Sequence, residues 1–218
     1  MTSKPRLIEV REKVLKENDI VARRQREQFR QFGTYVISLV SSPGSGKTTF
    51  LHKTLEHLQP KCRVAALVGD LATDNDATKL ARSGAPVKQI STGTICHLDA
   101  TMVHSALGTW NLPTLDFLFI ENVGNLVCPS SYDLGENLRL VLMSVTEGED
   151  KPLKYPTIFN TADIAVIAKM DLASAAEFDL HSALANIQRV RPAMRTFQVS
   201  AKTGEGMADW FQFLAAVR

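Results

Sequence analysis

The chain has 218 residues, of which 44% are hydrophobic, so it is long and apolar enough for one globular domain with a sizeable core. Its formal net charge is only +2, which excludes the strongly basic class of dedicated nucleic-acid binders. Three widely spaced cysteines do not indicate a disulfide framework, and we find no secretory signal and no apolar run long enough to span a membrane. We therefore expect a soluble, cytoplasmic protein that binds neither nucleic acid nor a membrane.

The amino-terminal segment is charged and has the pattern of an amphipathic helix. Its apolar residues recur at roughly helical spacing, at Leu7, Val10, Val14, Ile20 and Val21. We predict a helix within residues 1–32 that packs on the edge of a second unit, residues 33–218.

Short apolar runs that read as strands follow Gly33: YVISLV, RVAALV, VKQI, LDFLFI, LRLVLMSV, IAVIA and RTFQV. Helical patterns lie between most of them, at residues 48–58, 75–83, 98–107, 179–190 and 207–217. This alternation predicts an α/β fold with a mostly parallel sheet of about seven strands and helices on both faces. In such folds, ligands bind at the carboxyl ends of the strands.

The stretch YVISLVSSPGSGKTTFL reads as a strand, a glycine-bearing loop and a helix. Its centre, SSPGSGKT, matches the phosphate-loop pattern GxxxxGK(S/T), except that Ser41 replaces the first glycine, and it predicts a P-loop NTPase. Glycines let the backbone turn its N–H groups towards a phosphate, and the positive end of the following helix favours the same anion. We expect Lys47 to reach the β- and γ-phosphates and the Thr48 hydroxyl to bind Mg²⁺. The predicted nucleotide-binding residues of this loop are Gly44, Ser45, Gly46, Lys47, Thr48 and Thr49.

Carboxylates follow two of the predicted strands at the edge where the phosphate loop opens. Glu121 ends one strand and is our candidate for the carboxylate that holds Mg²⁺ or its water, while Gly124 offers a backbone N–H to the γ-phosphate. Asp70 and Asp74, in VGDLATDNDA, are predicted to bind Mg²⁺ or to orient the attacking water, although a helix cap would also explain Asp74. For Asp76, in the first helical turn, capping is the better explanation. The predicted catalytic residues are Lys47, Asp70, Asp74 and Glu121.

A second loop has the features of a guanine-binding element. VIAKMDL resembles the guanine-selecting pattern NKxD, with Ala168 in place of the asparagine. A carboxylate at Asp171 can accept hydrogen bonds from both guanine N1–H and the 2-amino group, a pair of donors that adenine lacks. We expect the stem of Lys169 to lie along the base. Further on, VSAKTG resembles the SAK element whose backbone contacts the guanine oxygen, here at Ser200, Ala201 and Lys202.

The stretch GTICHLDA places Cys96 and His97 side by side, just before a predicted helix. By themselves these two residues leave three interpretations open: a metal site, a catalytic pair, or ordinary residues at the start of a helix. Thiolate and imidazole suit nickel and zinc alike. His104 follows about two helical turns after His97 and is either an accessory ligand or a plain surface histidine.

Four stretches together resemble a known family: SSPGSGKTT, GDLATDNDA, GAPVKQISTGTICHLDA and FIENVGNLVCPSSYDLGE. Over roughly residues 35–215, the chain is similar to the nickel-incorporation GTPases of hydrogenase maturation, the HypB family. The resemblance implies a GTPase that works as a homodimer with a small nickel metallochaperone and supplies nickel to the large subunit of a nickel–iron hydrogenase. It also implies that nickel or zinc is bound by the residues matching Cys96, His97 and Cys128.

The sequence agrees with this family in some details and departs from it in one. Ser41 matches the family's own form of the phosphate loop, whereas Ala168 departs from the usual guanine motif, so the strictness of GTP over ATP stays open. The related urease-maturation GTPases have a Cys-Pro-His pattern at the corresponding place. In this chain Cys96 and His97 are adjacent, which favours the hydrogenase-maturation branch.

The segment ENVGNLVC begins at the predicted nucleotide site with Glu121 and ends at Cys128. We therefore expect the bound triphosphate and dimerisation to reshape the metal site, and hydrolysis to reset it. Asn125 stands where a water-positioning glutamine is usual and no arginine finger is evident, so we also expect slow intrinsic turnover. Two alternatives remain: a P-loop small-molecule kinase and a structural zinc-bridged dimer.

Overall fold

The structure is a computed structural model that describes residues 6–71, 74–108, 110 and 114–217, with side chains from residue 12 onwards. The helices of these ranges are α1 Arg6–Phe32, α2 Lys47–Leu58, α3 Asn75–Ala81, α4 Ala100–Leu107, α5 Lys151–Lys154, α6 Pro156–Thr161, α7 Leu180–Val190 and α8 Met207–Ala216. The strands are β1 Tyr35–Ser41, β2 Val64–Asp70, β3 Val87–Ser91, β4 Phe117–Glu121, β5 Leu138–Ser144, β6 Ile164–Ala168 and β7 Arg195–Val199.

The strands form one parallel sheet in the order β3-β2-β4-β1-β5-β6-β7. This confirms the predicted α/β class, and each of the apolar runs picked out in the sequence contributes its strand. β1 lies at the centre between β4 and β5, so the loop that follows β1 opens beside the end of β4. The carboxyl ends of β2, β6 and β7 meet at the same edge, because all strands run in one direction.

Helices cover both faces of the sheet. β1 is buried along almost its whole length, as expected for a strand packed on both sides. Ile37 and Leu39 face a layer that includes α2 and α8, where Trp210 is the largest fully buried side chain. Residues of the other parity face the opposite layer, with Val36 towards α1 and α4 and Val40 towards α6 and α7.

The packing face of α1 differs from the prediction. Val14 and Ile20 are 45% and 53% exposed, and Val21 is half-buried, so the predicted apolar face was wrong for these residues. The side chains of Leu7 and Val10 lie outside the described residues. Between residues 12 and 32, where its side chains are described, the buried positions of the helix are Asn18, Ala22, Gln25 and Phe29. Two of these four are amides, and a search for apolar periodicity cannot find them. The division of the chain at residue 32 stays a prediction.

The helix predicted at residues 98–107 begins two residues later, at Ala100. Asp99 caps it, since its Oδ1 accepts a hydrogen bond of 2.8 Å from the Met102 amide. Cys96 and His97 therefore lie on the loop before the helix.

Within the described ranges, we find no helix that combines the length and the apolar character needed to cross a membrane.

Candidate nucleotide pocket and metal centre

The loop after β1 has the backbone of a phosphate cradle. Gly44 and Gly46 have positive φ angles of 72° and 98°, and α2 begins directly afterwards at Lys47. The Ser45 hydroxyl is buried without a hydrogen-bond partner in the described part of the chain. The loop borders a cavity of about 460 Å³, whose other walls come from the ends of β2 and β4 and from α3. A buried hydroxyl and the N-terminus of a helix beside an open cavity suit a phosphate.

Glu121 ends β4 behind Lys47 and Thr48, which line this cavity, and it is almost completely buried. Its Oε1 accepts a hydrogen bond of 2.7 Å from the Thr48 hydroxyl and lies 3.3 Å from the Lys47 Nζ. Its Oε2 is buried with no partner among the residues described. Burial raises the pKa of Glu121, and Lys47 and Thr48 only partly oppose that shift. An unpaired carboxylate oxygen beside a threonine hydroxyl is a donor set that fits Mg²⁺.

The aspartates after β2 occupy different places. Asp70 and Asp76 line the cavity, whereas Asp74 is exposed at the N-cap position of α3, where its side chain makes no capping hydrogen bond. Sequence reasoning favoured Asp74 over Asp76, but the geometry gives Asp76 the better position. Sequence reasoning also missed Lys79, which lies one turn after Asp76 and donates a hydrogen bond of 2.6 Å to the Thr49 hydroxyl. The spacing of these two residues on one face of α3 was the available signal.

A second cavity, of about 270 Å³, adjoins the phosphate cavity and has a mostly apolar lining. Lys169 separates the two and donates a hydrogen bond of 2.7 Å to the Gly44 carbonyl oxygen. Asp171 accepts a hydrogen bond of 2.6 Å from the buried Ser200 hydroxyl, which fixes its carboxylate. The lining residues are Gly46, Thr49, Phe50, Ala168, Lys169, Asp171, Leu172, Val199, Ala201 and Lys202. The structure thus brings the predicted base-binding residues together beside the phosphate loop.

A larger cavity, of about 570 Å³, lies between β7 and α8. None of the site residues predicted from the sequence lines it. We therefore place the candidate site at the carboxyl edge of the sheet, where the unpaired Ser45 hydroxyl and Glu121 Oε2 are buried.

Cys96, His97 and Cys128 converge on one point. Their ligand atoms all lie within 4.8 Å of one another, and the two sulfur atoms are 2.9 Å apart. Nδ1 of His97 is buried without a partner in the described residues, and Tyr132 stacks on the imidazole with ring centroids 4.0 Å apart. Burial lowers the pKa of His97 and so favours the neutral imidazole that binds metals.

The three side chains fit a nickel or zinc ion through two sulfurs and one nitrogen. They leave room for a further ligand, because such ions usually take four or more. His104, the candidate accessory ligand, is exposed on α4 and does not belong to this group. Cys62 is half-buried and packs against the main core.

The segment between Glu121 and Cys128 contacts both sites. Asn122 is buried, and its Oδ1 accepts hydrogen bonds of 2.9 Å from the amides of Leu98 and Val123. At Gly124, a Cβ atom would lie 2.9 Å from the Pro43 Cα of the phosphate loop, so only glycine permits this approach.

Asn125 continues the connection towards the metal centre. Its Nδ2 donates to the Cys96 carbonyl oxygen at 3.4 Å, and its Oδ1 accepts from the Val127 and Cys128 amides at 2.7 and 3.4 Å. Sequence reasoning noted Asn125 only as a replacement for glutamine and did not find this role.

The phosphate loop, the acidic strand end and the adjoining base-sized cavity define a P-loop nucleotide-binding protein that also carries a cluster of two thiols and an imidazole with the donor set of a metal site. Comparison with known families agrees: the profile described as "CobW/HypB/UreG, nucleotide-binding domain" matches residues 35–198.

Full-length comparisons narrow the assignment. The hydrogenase maturation factor HypB of Azotobacter chroococcum is 45% identical over 99% of this chain and 71% of its own length. The hydrogenase/urease maturation factor HypB of Helicobacter pylori is 42% identical over 95% of this chain and 86% of its own. The crystal structure of HypB from Helicobacter pylori in complex with nickel has a TM-score of 0.87 and 41% identity, covering 92% of this chain and 94% of that one. The chain belongs to the HypB family of hydrogenase maturation factors.

The raised pKa of Glu121 predicts how stability depends on pH in the nucleotide-free chain. The folded state binds the proton of Glu121 more tightly than the unfolded state does. The contribution of this proton to the unfolding free energy is complete below the ordinary pKa of glutamate and is lost as pH rises through the raised value. We expect the unfolding free energy of the wild type, relative to Glu121→Gln, to fall as pH rises through this window. Denaturant titrations at a series of pH values measure it.

Glu205→Gln, at an exposed carboxylate, controls for the loss of a surface charge. If the difference in unfolding free energy between the wild type and Glu121→Gln stayed constant or increased as pH rises, the account would be contradicted.

Proposed function

We propose that this protein is a GTP-hydrolysing, nickel-binding maturation factor in the cytoplasm, in which the nucleotide controls the metal site. Its best support is the segment from Glu121 to Cys128, which starts at the phosphate cavity, contacts the phosphate loop at Gly124 and ends at a metal ligand. A change at the γ-phosphate then has only a few residues to cross before it reaches a thiolate.

The phosphate loop binds the triphosphate in this proposal, through its backbone N–H groups and the Lys47 ammonium. Thr48 and Glu121 would hold Mg²⁺, which would supply positive charge to neutralise the transferred phosphoryl group. Mg²⁺ at this site would favour the ionised form of Glu121, because the ion and a proton compete for the same oxygen. Asp70, at the tip of β2, and Asp76 are the cavity carboxylates available to orient the attacking water, with Asp74 as the more distant candidate.

The adjoining apolar cavity receives the guanine base. Asp171, fixed by the Ser200 hydroxyl, accepts from guanine N1–H and the 2-amino group, and the Lys169 stem lies along the ring. The backbone of Ala201 and Lys202 closes the far side. Ala168 supplies apolar lining where an asparagine would have added a hydrogen bond, so discrimination depends mainly on Asp171.

Nickel is the cargo of Cys96, His97 and Cys128 in this proposal, although the same ligands accept zinc. Two observations support nickel: the chain's membership of the HypB family and the nickel bound by the similar Helicobacter pylori protein. Exposed Ile95 and Val127 flank the two cysteines, so a second copy can cover this surface and bring a second ligand set. We propose a homodimer that receives nickel from a small metallochaperone and passes it to a hydrogenase large subunit.

The small-molecule kinase is the weaker alternative. Such enzymes usually clamp phosphates with an arginine-bearing lid, and the nearest arginine-rich stretch is RVRPAMR. Arg191 of that stretch donates to the main-chain oxygens of Asn160 and Ala162 and pairs with Asp163, which immediately precedes β6. This position is at the amino edge of the sheet, opposite the phosphate cavity. Water is therefore the better candidate for the phosphoryl acceptor.

Coupling between the sites is tested by bound nickel and zinc per chain, and by dimer fraction, in the nucleotide-free, GDP and GTP-analogue states. We expect nickel affinity to differ by about fivefold or more between states, the lower range of typical allosteric coupling. Cys128→Ala should lose the metal, and Cys62→Ala, which changes a thiol outside the metal centre, should not. Identical affinity and stoichiometry in every state would refute the coupling and favour the structural zinc dimer.

Slow turnover follows from the contacts of Asn125. Its amide is bonded to Cys96, Val127 and Cys128, so it is not free to orient a water as a switch glutamine does. We expect an intrinsic rate of GTP hydrolysis below about 0.01 s⁻¹ for the isolated protein, in the range of unassisted GTPases. Single-turnover assays measure it, with Lys47→Ala as the inactive reference. A rate near 1 s⁻¹, or hydrolysis that persists in Lys47→Ala, would contradict this.

Base selection is tested with Asp171→Asn. The amide cannot accept from both guanine donors, but it can donate to the 2-oxo group of xanthine. We expect GTP affinity to fall roughly 10- to 100-fold, the cost of losing hydrogen bonds to a charged group, and xanthosine triphosphate affinity to rise. Fluorescent-nucleotide competition measures both, with Asp209→Asn at an exposed position as control. Equal binding of GTP and ATP by the wild type would overturn the assignment.

A further inference from the structure

Helix α1 touches both loops that lead away from the metal ligands. Asn18 makes one hydrogen bond to each loop: its Oδ1 accepts from the Ala100 amide at 2.8 Å, and its Nδ2 donates to the Asp133 carbonyl oxygen at 2.9 Å. Ala100 follows His97 by three residues, and Asp133 follows Cys128 by five. One buried side chain therefore ties the two halves of the metal centre to each other.

Gln25 repeats this arrangement two helical turns later. Its Nε2 donates to the Ala100 carbonyl oxygen at 3.1 Å and to the Leu134 carbonyl oxygen at 3.3 Å. The side chain is only 2% exposed. Asn18 and Gln25 together bond both main-chain groups of Ala100, so the end of the Cys96–His97 loop cannot shift without breaking buried hydrogen bonds.

The second loop is also held closely against α1. Gly135 has a φ of +80°, and a Cβ atom there would lie 2.7 Å from the Ala22 carbonyl oxygen, so only glycine permits this approach. Arg26 adds an ion pair of 2.6 Å to Asp133. Tyr132, the neighbour of Asp133, stacks on the His97 ring. A shift of this loop relative to α1 would therefore also move the ring that packs on a metal ligand.

The energetics favour a fixed spacing. A buried amide group left without its partner costs about 1–3 kcal/mol, so the loops are held where both polar atoms of Asn18 and the Nε2 of Gln25 make their hydrogen bonds. Metal affinity depends steeply on ligand placement, and residues that orient ligands without touching the metal typically change affinity 10- to 100-fold when mutated. The nucleotide cavities are lined by other elements, so this contact acts on the metal centre separately.

We propose that Asn18 and Gln25 of α1 are positioning residues of the metal centre: they set the separation between the Cys96–His97 loop and the Cys128 loop, and thereby the affinity for a thiolate-bound metal ion. This inference rests on the proposed metal binding at Cys96, His97 and Cys128. It assigns α1 a part in metal binding although the helix supplies no ligand of the triad.

The test measures nickel affinity by chelator competition, together with the thiolate-to-nickel charge-transfer absorption. Asn18→Leu removes both bonds of Asn18 and Gln25→Met both of Gln25, and each should weaken nickel binding about tenfold or more and alter the absorption band. Asn18→Asp keeps the bond to the Ala100 amide and loses the donor to Asp133, so its loss should be smaller. Affinity for a GTP analogue should stay within about twofold of the wild type in all three.

Gln31→Met is the matched control, since it makes the same substitution at an exposed position of the same helix. Circular dichroism and GTP-analogue binding report folding, and if Gln25→Met fails to fold, the isosteric Asn18→Asp decides the matter. Wild-type nickel affinity and an unchanged absorption band in folded Asn18→Leu and Asn18→Asp would overturn the inference. The proposed metal site fails separately if Cys128→Ala binds nickel as the wild type does.

Discussion

Glu121 carries a carboxylate into the interior at the end of the strand beside β1, with one oxygen held by Thr48 and Lys47 and the other unpaired within the described structure. A buried charge with an unsatisfied oxygen is costly. Protonation of the carboxyl group, or a cation at its unpaired oxygen, would lower this cost. The residues that follow Glu121 are packed against the phosphate loop on one side and the Cys96–His97 loop on the other.

The segment that follows Glu121 makes its contacts through few residues, and most of these contacts are polar. Asn122 bonds the amide that follows His97, Gly124 lies against Pro43, and Asn125 bonds the main chain at Cys96 and Cys128. The three contacts occur within four consecutive residues. The phosphate loop and the Cys96–His97 loop are therefore linked by a short packed segment. On the other side, Asn18 and Gln25 hold the same two metal loops from α1. The cluster of Cys96, His97 and Cys128 is thus held between the segment that follows Glu121 and the amino-terminal helix.

How much of this the sequence predicted depends on how local each feature is. The strands, the phosphate loop and Glu121 were predicted because apolar runs, glycine spacing and the position at a strand end depend only on residues that are close together in the sequence. Cys96 and Cys128 lie 32 residues apart, so no spacing rule joins them, and only the family resemblance brought them together before the structure did. The face of α1 was mistaken because its contacts are buried amides, which apolar periodicity does not register. Lys79 was overlooked because its meaning depends on the hydroxyl of Thr49, which comes from another helix.

The central claim, that the nucleotide acts on the metal through the Glu121 to Cys128 segment, is tested most directly by one rate. Nickel-loaded protein is mixed with excess chelator, and nickel release is followed by stopped-flow absorption with Mg²⁺ and either no nucleotide, GDP or a GTP analogue. The account predicts release rates that differ about fivefold or more between the analogue and GDP, as expected for a coupling of typical size. Equal rates in all three conditions, with the nucleotides shown to be bound, would contradict it.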